Sequence, residues 1–235
     1  MRSMLRTDPI VRDVGALCAA AVVVGLSFGA IATAAGLPLS QIVVMSAFVY
    51  AGGAQFLAVG LVSAGGTALA IILAGLLLNA RHLPFGLAIG NETLGGSRWR
   101  RVVGSHILTD ESVAFALAQD DPARRRRAYW LTGAALFVTW NISSTVGAIV
   151  GGTLGDPNRY GIDAAFPAAL LALTLPSLKD KIAVRVAVTG AAVALVATPF
   201  LPAGLPVLLA LLGLVFALPV PSSRARTAAG PGGQS

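Results

Sequence analysis

The chain has 235 residues, 56% hydrophobic and only 11% charged, with a mean hydropathy of +0.80. Soluble domains carry about 25% charged residues, so composition excludes a soluble globular domain and leaves an all-α, polytopic helical membrane protein of about six to eight membrane segments. The formal charge of +7 does not signal a nucleic-acid partner, because the arginines fall at the ends of apolar runs, where they orient spans against the lipid bilayer.

Residues 1–13 hold Arg2, Arg6 and Arg12 and read as a cytoplasmic segment before an apolar stretch from Val14 to Ala35. Ala32-Thr33-Ala34 resembles a signal-peptide cleavage site, but the run exceeds the usual 7–15-residue signal core, so a retained first helix is expected. Cys18, the one cysteine, excludes an intrachain disulfide and a Cys-based metal site; no metal or other cofactor is expected. Gly25 and Gly29 form a small-residue packing face. After Gly36-Leu37-Pro38 comes an apolar run from Leu39 to Val62, interrupted by Ala51-Gly52-Gly53-Ala54-Gln55-Phe56. Two glycines each cost about 1 kcal/mol in a helix interior, and a buried amide needs partners. The pattern predicts a break at Gly52-Gly53, where a ligand could approach the main chain; close packing through small residues is the alternative.

The third run, Thr67 to Ile89, carries Asn79-Ala80-Arg81-His82-Leu83-Pro84-Phe85. Helical spacing puts Asn79 and His82 on one face, Arg81 and Phe85 on the next. Ionisable groups at this depth face a cavity or partner, unless Arg81 snorkels to the headgroups. A basic stretch with Arg98, Arg100 and Arg101 precedes Val102–Ala118, which contains His106, Thr109, Asp110 and Glu111. On a continuous helix His106 and Asp110 share a face. Arg124-Arg125-Arg126-Arg127 is the strongest cytoplasmic marker. If Val102–Ala118 does not cross, both basic clusters share one side, and the Gly52-Gly53 segment must dip in and return.

A long helix is expected from Tyr129 to Thr153, with Trp140-Asn141 near its middle and Gly147, Gly151 and Gly155 at packing spacing. A short run from Asp163 to Leu175 contains Phe166-Pro167. Helices over about Ile182–Phe200 and Leu205–Leu218 complete one bundle over residues 14–219, and residues 220–235 are expected to form a disordered tail. Gly29-Ala30-Ile31 with its following turn is weakly echoed by Gly147-Ala148-Ile149, and paired interrupted segments mark substrate sites in transporters.

Ala51-Gly52-Gly53-Ala54-Gln55-Phe56, Leu78-Asn79-Ala80-Arg81-His82-Leu83, Leu108-Thr109-Asp110-Glu111 and Asp163-Ala164-Ala165-Phe166 together resemble the AzlC-type branched-chain amino-acid permeases over about residues 10–220. The resemblance implies the large subunit of an exporter of valine and related amino acids, accompanied by a small AzlD-type membrane subunit. Pro84-Phe85 and Pro167 depart from the family pattern and bear on the substrate more than on the family. A branched-chain amino acid offers a carboxylate, an ammonium and an apolar side chain. The candidate substrate-binding residues are Gly52, Gly53, Gln55, Asn79 and Arg81, with Phe48, Phe56 and Phe166 as apolar walls. Asp110, Glu111, His82, His106 and Asp163 are the candidates for holding the ammonium or a coupling proton. An enzyme is not expected, since H-E-x-x-H does not occur; a channel or scaffolding subunit is the alternative.

Overall fold

The computed structural model describes residues 8–153, 171, 175–201 and 205–217. Every regular element among them is helical, and they fall into two units, divided at Leu175.

In the first unit α1 covers Pro9–Ala34. It begins five residues before the apolar run because Asp8 caps it, accepting from Ile10 N at 3.0 Å, and because Pro9 suits the first helical position. The interrupted segment is two helices, α2 (Leu39–Phe48) and α3 (Gly52–Ser63). At about 1.5 Å per residue neither half spans a hydrocarbon core of about 30 Å alone. The expected break exists but lies at Val49-Tyr50-Ala51, and Gly52-Gly53 is the first turn of α3. Tyr50 takes a φ of +41°, the one positive value outside glycine among the described residues, and that reversal ends α2.

The third run divides into α4 (Ala68–Asn79) and α5 (His82–Leu94). This corrects the single helical face drawn through Asn79 and His82. Pro84 has no N–H, and its ring collides with the carbonyl four residues back, that of Ala80. The chain instead tightens through Ala80 N to Leu77 O and Leu83 N to Ala80 O, both three-residue bonds. A second correction concerns Val102–Ala118, which is α6 (Arg98–His106) and α7 (Asp110–Leu117) with a break between. Thr109 and Ser112 form a reciprocal cap: the Thr109 hydroxyl accepts from Ser112 N at 3.1 Å, and Thr109 N donates to Ser112 Oγ at 2.9 Å. Restarting the helix at Asp110 takes it off the face of His106. Two acids in the first turn of α7 suit the positive end of its dipole.

Helix α8 runs Pro122–Thr153, so the four arginines are its opening turns rather than a loop before it. Asp121 starts it, accepting from Arg124 N at 2.8 Å. By length and apolarity α1, Ala68–Gly90 and α8 can each cross a membrane. The α1–α8 seam is close enough to exclude side chains: a Cβ on Gly147 would meet the main chain of Leu26, and one on Gly29 that of Ser144 and Ala148. Thr33 Oγ1 donates across it to Ala148 O at 3.2 Å.

The second unit holds a 3-10 turn at Leu175–Lys179, α9 (Lys181–Ala197), α10 (Leu205–Leu209) and a 3-10 stretch over Ala210–Ala217. Asp180 caps α9 through Ile182 N and Ala183 N. Asp163, Phe166 and Pro167 of the short run, Gly155 before it, and the tail from 220 lie outside the described residues.

Candidate functional site

Three helix interruptions meet. The α6–α7 break touches the α2–α3 break through His106, whose Nε2 donates to Ala47 O at 2.7 Å. It touches the α4–α5 break through an ion pair, Arg81 Nη1 to Asp110 Oδ2 at 3.0 Å. Arg81 also leans on the start of α3, its Nη2 lying 3.8 Å from where a Gly53 Cβ would stand. Aromatic side chains close the cluster: Phe137 packs on Tyr50 at 4.9 Å and on His106 at 5.6 Å between ring centroids.

The start of α3 has no cap. Ala51 occupies the capping position with no side-chain acceptor, and the first intrahelical bond is Gln55 N to Ala51 O at 2.9 Å. The N–H groups of Gly52, Gly53 and Ala54 therefore have no partner among the described residues, and they carry the positive end of the helix dipole. The approach is close at Gly52, where a Cβ would stand 3.1 Å from the Trp140 ring and the ring would have to give way by a few tenths of an ångström. Helix C-terminal ends, which carry negative partial charge, contribute too: α4 ends at Asn79 and α6 at His106.

The acid–base groups have distinct partners. His82 Nδ1 donates to Asn79 O at 2.9 Å, and its Nε2 stands 3.9 Å from Asp110 Oδ1. Asn79 Oδ1 and Tyr50 Oη are buried without a hydrogen-bond partner, a condition that costs about 1–3 kcal/mol per group. Glu111 is exposed and joins no ion pair among the described residues. No cluster of metal-ligating side chains occurs among the described residues.

Other candidates sit elsewhere. Gln55 is fully buried and already paired, its Oε1 accepting from Trp140 Nε1 at 2.9 Å and its Nε2 donating to Ser46 Oγ at 3.4 Å. Ser46 continues to Ser144 Oγ at 2.9 Å, so Gln55 stitches α2, α3 and α8 beneath the site. Phe56 is equally buried, edge-on to Phe28 at 5.4 Å between centroids. Phe48, 76% exposed, instead lines an apolar groove of about 500 Å³ on the outer side of α2 and α3 with Val44, Met45, Val59 and Val62. That groove is apart from the charged cluster. Replacing Gln55 with Leu is expected to strand the Trp140 N–H, while Ser46 keeps Ser144, lowering stability by about 1–3 kcal/mol and shifting tryptophan emission in detergent; an unchanged unfolding midpoint would show the network to be dispensable.

Sequence reasoning missed Tyr50, Ser46 and Ser144 and gave Trp140 no role. Only Trp140-Asn141 carried a signal, as polar groups inside an apolar helix.

The AzlC protein family model matches residues 16–154, the stretch that contains all three interruptions. An uncharacterized membrane protein of Helicobacter pylori strain J99 is 26% identical over 196 residues, which cover 83% of this chain and 85% of that protein. A second, from H. pylori strain 26695, is 29% identical over 54% of this chain and 56% of its own length. Inner membrane protein YgaZ of Escherichia coli K12 is 28% identical over 66% of this chain and 62% of its own. No solved structure matches.

Proposed function

The chain belongs to the AzlC family, a transport-associated family of membrane proteins, and we propose that it exports branched-chain amino acids, valine and its relatives, with proton coupling and a small AzlD-type partner subunit. It is a multi-pass protein of the bacterial cytoplasmic membrane. One observation carries the substrate reading: the uncapped start of α3, Arg81 and Asp110 come together where three helices are broken. An amino-acid carboxylate fits the three free N–H groups and the guanidinium, which can clasp it with two parallel bonds. The ammonium fits Asp110. Leu78 at Gly53, Phe85 at His82 and Trp140 at Gly52 offer apolar surface for the side chain. Apolar walls separate Val from Leu or Ile by only about 1–3 kcal/mol per methylene, so broad branched-chain and methionine acceptance is expected.

The test is flux. Purified chain in liposomes, with and without the small hydrophobic subunit, is expected to show saturable valine movement that responds to an imposed pH gradient. Single-channel current, or no valine movement in either preparation, would overturn the reading.

A further inference from the structure

The two histidines of the site are bonded in ways that separate their roles. His82 Nδ1 faces the Asn79 carbonyl at 2.9 Å, and a carbonyl oxygen only accepts, so Nδ1 carries a hydrogen. In the neutral ring Nε2 is then a bare lone pair, 3.9 Å from Asp110 Oδ1, and has nothing to offer a carboxylate. With a second proton the ring becomes a cation facing Asp110 Oδ1, while Arg81 holds the other oxygen, Oδ2, at 3.0 Å. His106 is committed differently: its Nε2 hydrogen goes to Ala47 O at 2.7 Å and ties α6 to the last turn of α2.

Building on the export reading above, we propose that a proton on His82 Nε2 and the substrate ammonium exclude one another at Asp110, so that the site exchanges one proton for one amino acid rather than carrying both together. The incoming ammonium displaces Arg81 from Asp110 while the substrate carboxylate takes Arg81 and the start of α3, a neutral swap. With His82 neutral, Oδ1 of Asp110 stays open to the ammonium; with His82 charged, Arg81 and the imidazolium face both oxygens and no acceptor is left open. The bond changes are those of proton transfer alone: hydronium gives a proton to the Nε2 lone pair, forming N–H and leaving water, and water takes it back on release. Among the described residues the charged or titratable groups around His82 are few. Arg81 and Asp110 are in reach, Glu111 follows Asp110 on α7, His106 ends α6 with Tyr50 of the α2–α3 break 6.1 Å from it between ring centroids, and Tyr129 of α8 donates to Gly104 O at 2.7 Å. Helices α3 and α4 contribute none.

Coupling is reciprocal: a proton that weakens valine binding is one that valine expels. The full chain in nanodiscs, titrated with radiolabelled valine between about pH 5 and 8, is expected to lose about tenfold in affinity per pH unit on the acid side. His82→Gln is expected to flatten that slope. Wild-type protein in weak buffer with an indicator dye is expected to release up to one proton per valine bound, a readout that needs no variant to fold. Valine binding without proton release, or with a slope that survives in H82Q, would overturn the exchange inference and leave the export reading standing. Wild-type protein that binds no branched-chain amino acid at any pH would overturn both.

Discussion

Replacing Gly147 with Val, or Gly29 with Leu, is expected to abolish the folded protein. A Cβ at Gly147 runs into the Leu26 carbonyl, with Leu26 Cα 2.7 Å away, and one at Gly29 meets the main chain of Ser144 and Ala148. These neighbours are backbone, which cannot rotate aside as a side chain would. Added bulk in a packed core costs about 1–3 kcal/mol when side chains absorb it; a main-chain clash lies at or beyond the upper end. The membrane gives no compensation, because helices there associate through packing and interhelical hydrogen bonds rather than a hydrophobic drive, and parting α1 from α8 would also break Thr33 to Ala148 O. A fluorescent fusion heated in detergent and passed over a sizing column should show no monodisperse peak for either variant. Gly15→Ala and Gly75→Ala are the controls, since nothing lies within 4 Å of either, and helix propensity favours alanine by up to about 1 kcal/mol. A G147V protein as heat-stable as the parent would remove this seam from the account of the fold.

The close seam was visible in the sequence because small-residue spacing is local. The helix breaks were visible only in part. Charge inside apolar runs located the site, since an arginine or aspartate in hydrocarbon must find a partner, and Arg81 and Asp110 found each other. The positions of the breaks were set by chemistry that hydrophobic periodicity ignores. Pro84 forbids a helix through Ala80, and the Thr109–Ser112 cap restarts one at Asp110. Both signals stood in the sequence and were outweighed by the pattern around them. Tyr50 is different in kind. A tyrosine at φ +41° has no local signature, and the neighbouring glycines drew the break three residues downstream. Gln55 looked like a ligand group because its partners, Ser46 and Trp140, are supplied by two other helices.

Arg81→Ala and Asp110→Asn are each expected to remove valine export while leaving the protein folded. The side chains in this pair are 43% and 41% exposed, and ion pairs of that kind contribute little to stability, so the loss should fall on substrate. A hydrogen bond to a charged group is worth about 1.5–3 kcal/mol, which corresponds to about a ten- to hundred-fold loss in flux per unit substrate for each change. The double variant should be inactive as well, and cells carrying it should retain cytoplasmic valine; lowering of valine at the parental rate would refute the assignment. Exchanging the two residues, Arg81→Asp with Asp110→Arg, separates grip from scaffold. If the pair only tied two helix breaks together, the reversed pair would restore export. A zwitterion cannot be turned round so simply, because the free N–H groups of α3 remain where they are, beside position 81. Asp at that position would compete with the substrate carboxylate for the same donors, so the exchanged protein should fold, insert and remain inactive.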